Sequence, residues 1–292
     1  MKLSNIRGEY YLLAAIPFFG LFPVFANIGV GYFPPLFFAG ISNLIAALVM
    51  VPLSLTTKRR ELKLNRTEWL YTMGNTVFNI ILPFILIYIG TQYTSSLNTT
   101  LLHQTELLSA FIINGLIFGE VITRSVWIGG VLVLSGTLSV LYNGSLHFNI
   151  GDLLIIASTF LYPFGNIYAK KSLKTVTPWT VLFLRSLMGG TVLLLLSGIF
   201  EASAWGSIAT SARQHLLFLF INGAIILGFS KWLWLSGMRS MPITKSTIFA
   251  ICGPPVGILY SILFLKEVPS IYQAIGFLLM ILGLWVLVPK RR

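Results

Sequence analysis

LIFGEV (116–121) and LFLKEV (263–268) end two apolar runs with the same acidic turn, 147 positions apart. At that spacing Asn75 falls on Asn222, Gly90 on Gly237, Thr100 on Thr247, Gly129 on Gly276 and Gly136 on Gly283. Earlier in the chain the offset is 143: Gly8-Glu9 falls on Gly151-Asp152, Pro35 on Pro178 and Leu44 on Leu187. A length change of four residues between the second and third runs of each half reconciles the two registers. The chain reads as two copies of one unit, and duplicated hydrophobic spans are the build of a secondary transporter.

Composition identifies the solvent. Hydrophobic residues make up 56% and charged residues 10% of the chain, against roughly 25% charged in a soluble domain. The 26 glycines suit helices that approach closely in lipid. One cysteine, Cys252, excludes an intrachain disulfide and any cysteine-based metal cluster. Ten hydrophobic runs can be drawn, at 10–30, 34–56, 69–90, 95–118, 125–142, 151–169, 178–200, 213–236, 244–265 and 271–288, each near the ~20 residues that cross a hydrocarbon core. The first is too long for a signal-peptide core and carries Pro17 and Pro23, so it reads as a retained span.

The net charge of +12 is a topology signal. With the N-terminus inside, sixteen of the twenty Lys and Arg fall on that side, including Lys58, Arg59, Arg60, Lys63 and the C-terminal Lys290, Arg291 and Arg292. Only Arg213 and Lys266 fall opposite, while Arg185 and Lys231 lie within runs. This bias predicts cytoplasmic termini, with basic clusters that touch anionic lipid and no nucleic-acid face. Five spans per unit is an odd number, so the second copy enters from the opposite side. The expected fold is an all-α integral membrane protein of ten transmembrane helices, arranged as two inverted five-helix repeats at 8–142 and 151–288.

Ten spans in two such repeats, each with an acidic turn after its fourth helix and a Gly-spaced fifth, resemble the EamA branch of the drug/metabolite transporter superfamily. That family usually carries Trp-Gly and then Lys in the first helix, and Pro then Arg in the second. Half two has Tyr162-Pro163 for the pair and keeps Lys170, Pro178 and Arg185; half one has Phe19-Gly20, Asn27 for the Lys and Ser42 for the Arg. The resemblance, which covers nearly the whole chain, implies a small-metabolite carrier of the bacterial inner membrane, commonly an exporter of amino acids or related compounds.

Within the spans, Glu106 is the leading candidate. Counted from Ser95 it lies about 16 Å into a span of roughly 30 Å. A carboxylate there costs about 2.5–3.5 kcal/mol, so it is paired, protonated or faces a wet cavity. His103 and Thr99 are expected on its helical face; an imidazole suits proton relay but equally bonds between helices. The repeat partner of Glu106 is Gly253, followed by Pro254 and Pro255, so a carboxylate faces a broken helix. Lys231 either snorkels or meets a substrate carboxylate or Glu106, and Arg185 is a second-helix anchor or a binding group. Asn75, its repeat partner Asn222, and Asn79 bond a polar ligand or join helices; Tyr162 lies on the sixth helix beside Asn166. Trp232 and Trp234 read as interface anchors.

His103 and Glu106 lack further ligands at metal spacing, so no metal or cofactor is expected. The expected partners are a small-molecule substrate, protons as coupling ion, and membrane lipids; monomer and homodimer both remain open. A polar or zwitterionic, amino-acid-like substrate moved by alternating access is the leading reading. A membrane-embedded enzyme or lipid-handling protein is the alternative, although no phosphate-binding Gly-Lys-Ser/Thr loop or Ser-His-Asp arrangement can be placed.

Overall fold

The computed structural model describes residues 8–55, 64–118, 124–142, 149–241, 246, 249 and 253–287, and among them there are helices and turns and no strand. The helices are α1 Gly8–Tyr32, α2 Pro35–Leu55, α3 Arg66–Gly90, α4 Ser96–Leu102, α5 Thr105–Phe118, α6 Arg124–Tyr142, α7 Ile150–Thr159, α8 Tyr162–Ser172, α9 Pro178–Phe200, α10 Trp205–Gln214, α11 Leu216–Ser240, α12 Gly253–Leu265 and α13 Ile271–Leu287. Among the described residues, six helical rods are long and apolar enough to cross a membrane: α1, α2, α3, α7 with α8, α9 and α11. Shorter apolar helices lie in the fifth, ninth and tenth runs. The Gly119-Glu120-Val121 turn, His147, Thr247 and Cys252 lie outside the described residues.

Local chemistry sets the helix ends. Asn65 and Glu68 form a reciprocal capping box at the start of α3, Ser95 accepts from the Asn98 amide at α4, and Pro35 and Pro178 open α2 and α9, where a missing N–H costs no helical bond. Lys266, the repeat partner of Gly119, ends α12 with φ 57°, the left-handed conformation that stops a helix.

Two spans predicted as continuous are broken. The fourth turns at His103-Gln104 between α4 and α5, where Gln104 N reaches Leu101 O (3.0 Å) and Glu106 N reaches His103 O (3.1 Å) in tight three-residue turns. The sixth turns at Phe160-Leu161, just before Pro163, which has no amide to continue the ladder. The breaks are tied together: the Thr105 and Thr159 hydroxyls bond at 2.8 Å, and Ser109 Oγ donates to Thr159 O at 2.7 Å. The third span of each half contains a π-helical stretch, Val77–Ile81 and Ile221–Phe229, a widening often found at functional sites.

Packing repeats under exchange of the halves. Gly8 approaches Gly237 as Gly151 approaches Gly90, and Gly136 meets Gly276 as Gly283 meets Gly129, each too close for a Cβ without movement. In this way α1 packs on α11 as α7 packs on α3, and α6 pairs with α13 across the repeat axis. One end of the bundle is acidic: Glu267 accepts from the Ser96 and Leu97 amides at α4, Glu201 from the Leu36 and Phe37 amides at α2, and Asp152 from Thr94 and Asn98. The other end carries Lys170, Lys171 and Arg239 at the ends of α8 and α11.

Candidate functional site

A cavity of ≈ 150 Å³ opens beside the two helix breaks. Its lining comes from both halves at matched positions: Phe19 with Tyr162, Pro23 with Asn166, Asn43 with Ser186, Ile80 with Leu227, Phe84 with Lys231, and Glu106 with Gly253. The cavity therefore lies on the axis relating the repeats. Asn43/Ser186 and Ile80/Leu227 keep their character, but where half one presents Phe19, Pro23 and Phe84, half two presents Tyr162, Asn166 and Lys231. The carboxylate is the exception, supplied by half one opposite Gly253.

Glu106 lies in the first turn of α5, and its Oε1 accepts from Asn166 Nδ2 at 3.2 Å. Lys231 projects from α11 with its ammonium 5.3 Å from the Phe19 ring centre and 5.6 Å from that of Phe22, a cation–π cradle. Among the described residues no hydrogen bond joins Lys231 to Glu106. His103, in the turn before α5, packs edge-on to Phe22 (6.1 Å) and near Tyr162 (5.9 Å), and its Nε2 is buried without a hydrogen-bond partner.

Of the residues expected from sequence, Glu106, His103, Lys231, Asn79, Tyr162 and Gly253 meet in this cavity. Three do not line it. Thr99 bonds back to Ser95 O within α4 and does not share a face with Glu106, since the turn at His103 interrupts the helical register between them; Thr100 lines the cavity instead. Asn75 accepts from Asn79 Nδ2 at 2.8 Å, behind the cavity wall. Asn222 donates to Ser42 Oγ at 2.8 Å, joining α11 to α2. The tryptophans also sit inside the bundle: Trp234 lines the cavity against Phe19, and Trp232 packs edge-on to Tyr11.

Arg185 is a cavity residue that helix depth alone left open. It is 6% exposed, it lines the cavity beside Ser186, and its Nε has no hydrogen-bond partner. A position about 10 Å from a helix end is compatible with snorkelling, yet the side chain points inward. Asn43 and Asn166 join the lining from α2 and α8, each one residue or turn from a position already of interest. Among the described residues there is no group of three or more His, Cys, Asp and Glu able to hold a metal ion.

Comparison with known proteins gives consistent findings. The EamA-like transporter family matches residues 6–142 and again 149–288. The chain is similar to the uncharacterized transporter YvbV of Bacillus subtilis (strain 168), 28% identical over 100% of this chain and 94% of that protein. It is also similar to the uncharacterized transporter YetK of the same organism, 25% identical over 98% of this chain and 88% of that protein. A solved crystal structure superimposes with a TM-score of 0.70 at 16% identity, covering 96% of this chain and 97% of its own, a likeness of fold alone.

Proposed function

The chain belongs to the EamA-like transporter family, which makes it a multi-pass membrane transporter and not an enzyme, and we propose that it carries a small polar or zwitterionic, amino-acid-like metabolite by alternating access. The two five-helix repeats, 8–142 and 151–288, act as units of opposite orientation that exchange conformations around the cavity between them. Transport runs as export or exchange across a bacterial inner membrane with both termini in the cytoplasm, as the Lys and Arg bias supports.

The observation that carries this reading is the cavity on the repeat axis, with one carboxylate, Glu106, and two cations, Arg185 and Lys231, in its wall. Ionisable groups at such depth are costly unless they serve a ligand or an ion. Glu106 has one hydrogen bond, from Asn166, and so retains capacity for a proton or a ligand donor. Glu106 takes up and releases a proton as the cavity opens to each side, with His103 as relay.

Purified protein in proteoliposomes tests the carrier. Loading with unlabelled metabolite and diluting into labelled metabolite should give transient, saturable counterflow. Linear, unsaturable flux would instead describe a channel and end the alternating-access reading.

A further inference from the structure

We propose that Phe25–Phe218 and Ser42–Asn222 form a closed gate on the acidic side of the cavity, and that Tyr71–Tyr168 and Arg185–Asn79 are its repeat counterpart on the basic side, unmade in this structure and formed when the first gate opens. This rests on the carrier reading and assigns the residues that close each side.

The closed gate joins α11 to α1 and α2. The Phe25 and Phe218 rings lie face to face, 4.8 Å apart and 3° from parallel, and Phe38 stacks on Phe218 at 5.9 Å. One turn further along α11, Asn222 Nδ2 donates to Ser42 Oγ at 2.8 Å between fully buried side chains, its Oδ1 having no partner. Toward the helix ends, Tyr32 covers His215 at 3.7 Å. Phe22, one turn before Phe25 on α1, lines the cavity. The stack therefore stands between the cavity and the acidic end, where Glu201 holds the start of α2.

The repeat places the same four positions between α3 and the pair α8 and α9: Phe25 falls on Tyr168, Phe218 on Tyr71, Ser42 on Arg185 and Asn222 on Asn75. Among the described residues neither equivalent pair is in contact. Lys171 Nζ lies 5.5 Å from the Tyr71 ring centre and 6.0 Å from that of Tyr168, and Tyr168 stacks on Phe78 instead (6.1 Å, 12°). Arg185 Nε and Asn75 Nδ2 are buried without a hydrogen-bond partner. Arginine only donates, so it needs an acceptor where Ser42 met a donor. Asn79 Oδ1, also buried without a partner, is that acceptor. Asn79 Nδ2 already donates to Asn75 Oδ1 at 2.8 Å, so a bond from Arg185 to Asn79 links α9 to the equivalent of Asn222. The helices are in register for it. A Cβ on Gly189, one turn beyond Arg185, would stand 2.5 Å from Ile80 and 3.4 Å from Thr76, the residues that follow Asn79 and Asn75, and Arg185 and Asn79 line one cavity.

An unpaired buried donor and acceptor are unfavourable until they meet, while opening the acidic side gives up the Ser42–Asn222 bond. Exchanging one such bond for another keeps the two states close in energy, as alternating access requires. The Thr72 and Ser172 hydroxyls, 3.2 Å apart, keep α3 beside α8 meanwhile; the side chains of their equivalents, Leu219 and Gly29, cannot bond.

Two cysteine pairs in the full chain, made otherwise cysteine-free by Cys252→Ala, report the two sides in proteoliposomes. Tyr32→Cys with His215→Cys marks the acidic side outside the phenylalanine stack, and Tyr71→Cys with Tyr168→Cys marks the basic side. Copper phenanthroline should link the acidic-side pair faster. With all four cysteines present, mass spectrometry should find one link or the other, and fewer than about one molecule in ten with both. Asn222→Val, which removes the bond to Ser42, should speed basic-side linking about three- to tenfold, and Asn79→Leu should slow it by a similar factor, as expected for one hydrogen bond. The exclusion between links is read with both asparagines intact, so it does not depend on either variant folding. Both links in most molecules overturn the gate, as do linking rates that the two asparagine variants leave unchanged while lowering Tm, the mark of a merely structural role. The carrier reading is then still decided by counterflow, which uses none of these cysteines.

Discussion

Asn27 and Lys170, equivalent positions of the two halves, each reach the end of the third long helix of their own half. Asn27 Nδ2 donates to the carbonyls of Thr91 (3.2 Å) and Thr94 (3.0 Å), and Lys170 Nζ to those of Met238 (2.5 Å), Arg239 (3.1 Å) and Met241 (2.6 Å). Thr91 and Thr94 are the repeat partners of Met238 and Met241. The last carbonyls of a helix have no partner within it, so an amide and an ammonium satisfy the same need by different chemistry. Lys170 also places a positive charge at the negative end of α11.

These caps should be measurable as stability. Asn27→Leu and Lys170→Met each leave carbonyls unbonded and should cost about 1–2 kcal/mol, a loss read as a lower Tm in detergent. The Asn27 site is the more enclosed, so its variant should lose at least as much as Lys170→Met. Unchanged Tm in both would show that lipid headgroups or water replace the caps at no cost.

The glycine contacts at α6 and α13 predict a sharper contrast. A Cβ on Gly136 would stand 2.6 Å from Gly276 O, and one on Gly283 would stand 2.7 Å from Gly129 O, whereas among the described residues a Cβ on Gly31 or Gly206 would meet nothing within 4 Å. Gly136→Ala and Gly283→Ala should each destabilise by about 1–3 kcal/mol through overpacking. Gly31→Ala and Gly206→Ala should be neutral or slightly stabilising, since alanine is the better helix former by up to about 1 kcal/mol. Thermal unfolding of the four variants under one condition compares them directly.

These same glycines show how much was legible in the chain. Gly8, Gly90, Gly151 and Gly237 stand out by their spacing as repeat equivalents, and the structure adds that Gly8 meets Gly237 as Gly151 meets Gly90, because a duplicated unit preserves its contacts along with its residues. The convergence of Glu106, His103, Lys231 and Gly253 was also readable, since few polar groups lie deep in apolar runs. Thr99 was misplaced for a local reason: helical periodicity assigns a face only while the helix continues, and the turn at His103-Gln104 substitutes Thr100. Asn75 and Asn222 look like ligand groups from sequence, yet their hydrogen bonds go to Asn79 and Ser42. Depth alone does not distinguish a side chain facing a helix from one facing a cavity. Arg185 was ambiguous on the same ground.

Topology can be checked independently of the site. With both termini in the cytoplasm, Ser4→Cys should label from the inside and Ser145→Cys from the outside in otherwise cysteine-free protein, made by Cys252→Ala. Labelling of both from one side would contradict an odd number of crossings between them and with it the inverted arrangement.

Gly253 offers a test of the cavity as the transport path. Among the described residues a Cβ there meets only Phe19 Cβ, at 3.5 Å, an ordinary contact, and Gly253 lines the cavity, so a side chain added there extends toward it. Gly253→Leu should therefore insert and express near normally and fail to transport. Normal transport by this variant would put the substrate path elsewhere.

The central claim is that Glu106 is the ionisable group on which transport depends. Glu106→Gln preserves size and can still bond Asn166, but it cannot titrate. If Glu106 handles the proton, the variant should insert with near-normal stability and lose net transport, or keep exchange and lose the pH dependence seen in the wild type. The competing role is a structural counter-ion for Lys231 and Arg185. Removing one partner of a buried charge set costs about 3–5 kcal/mol, so in that case Glu106→Gln should lower Tm markedly, and adding Lys231→Gln should restore it. The geometry favours the first outcome, because Lys231 rests over Phe19 and Phe22 and Glu106 bonds Asn166, with no hydrogen bond between the two charges. Transport rate against pH on both sides of the membrane, measured with Tm for the single and double variants, separates the two roles. A single variant that transports normally with an unchanged pH profile would remove Glu106 from the mechanism.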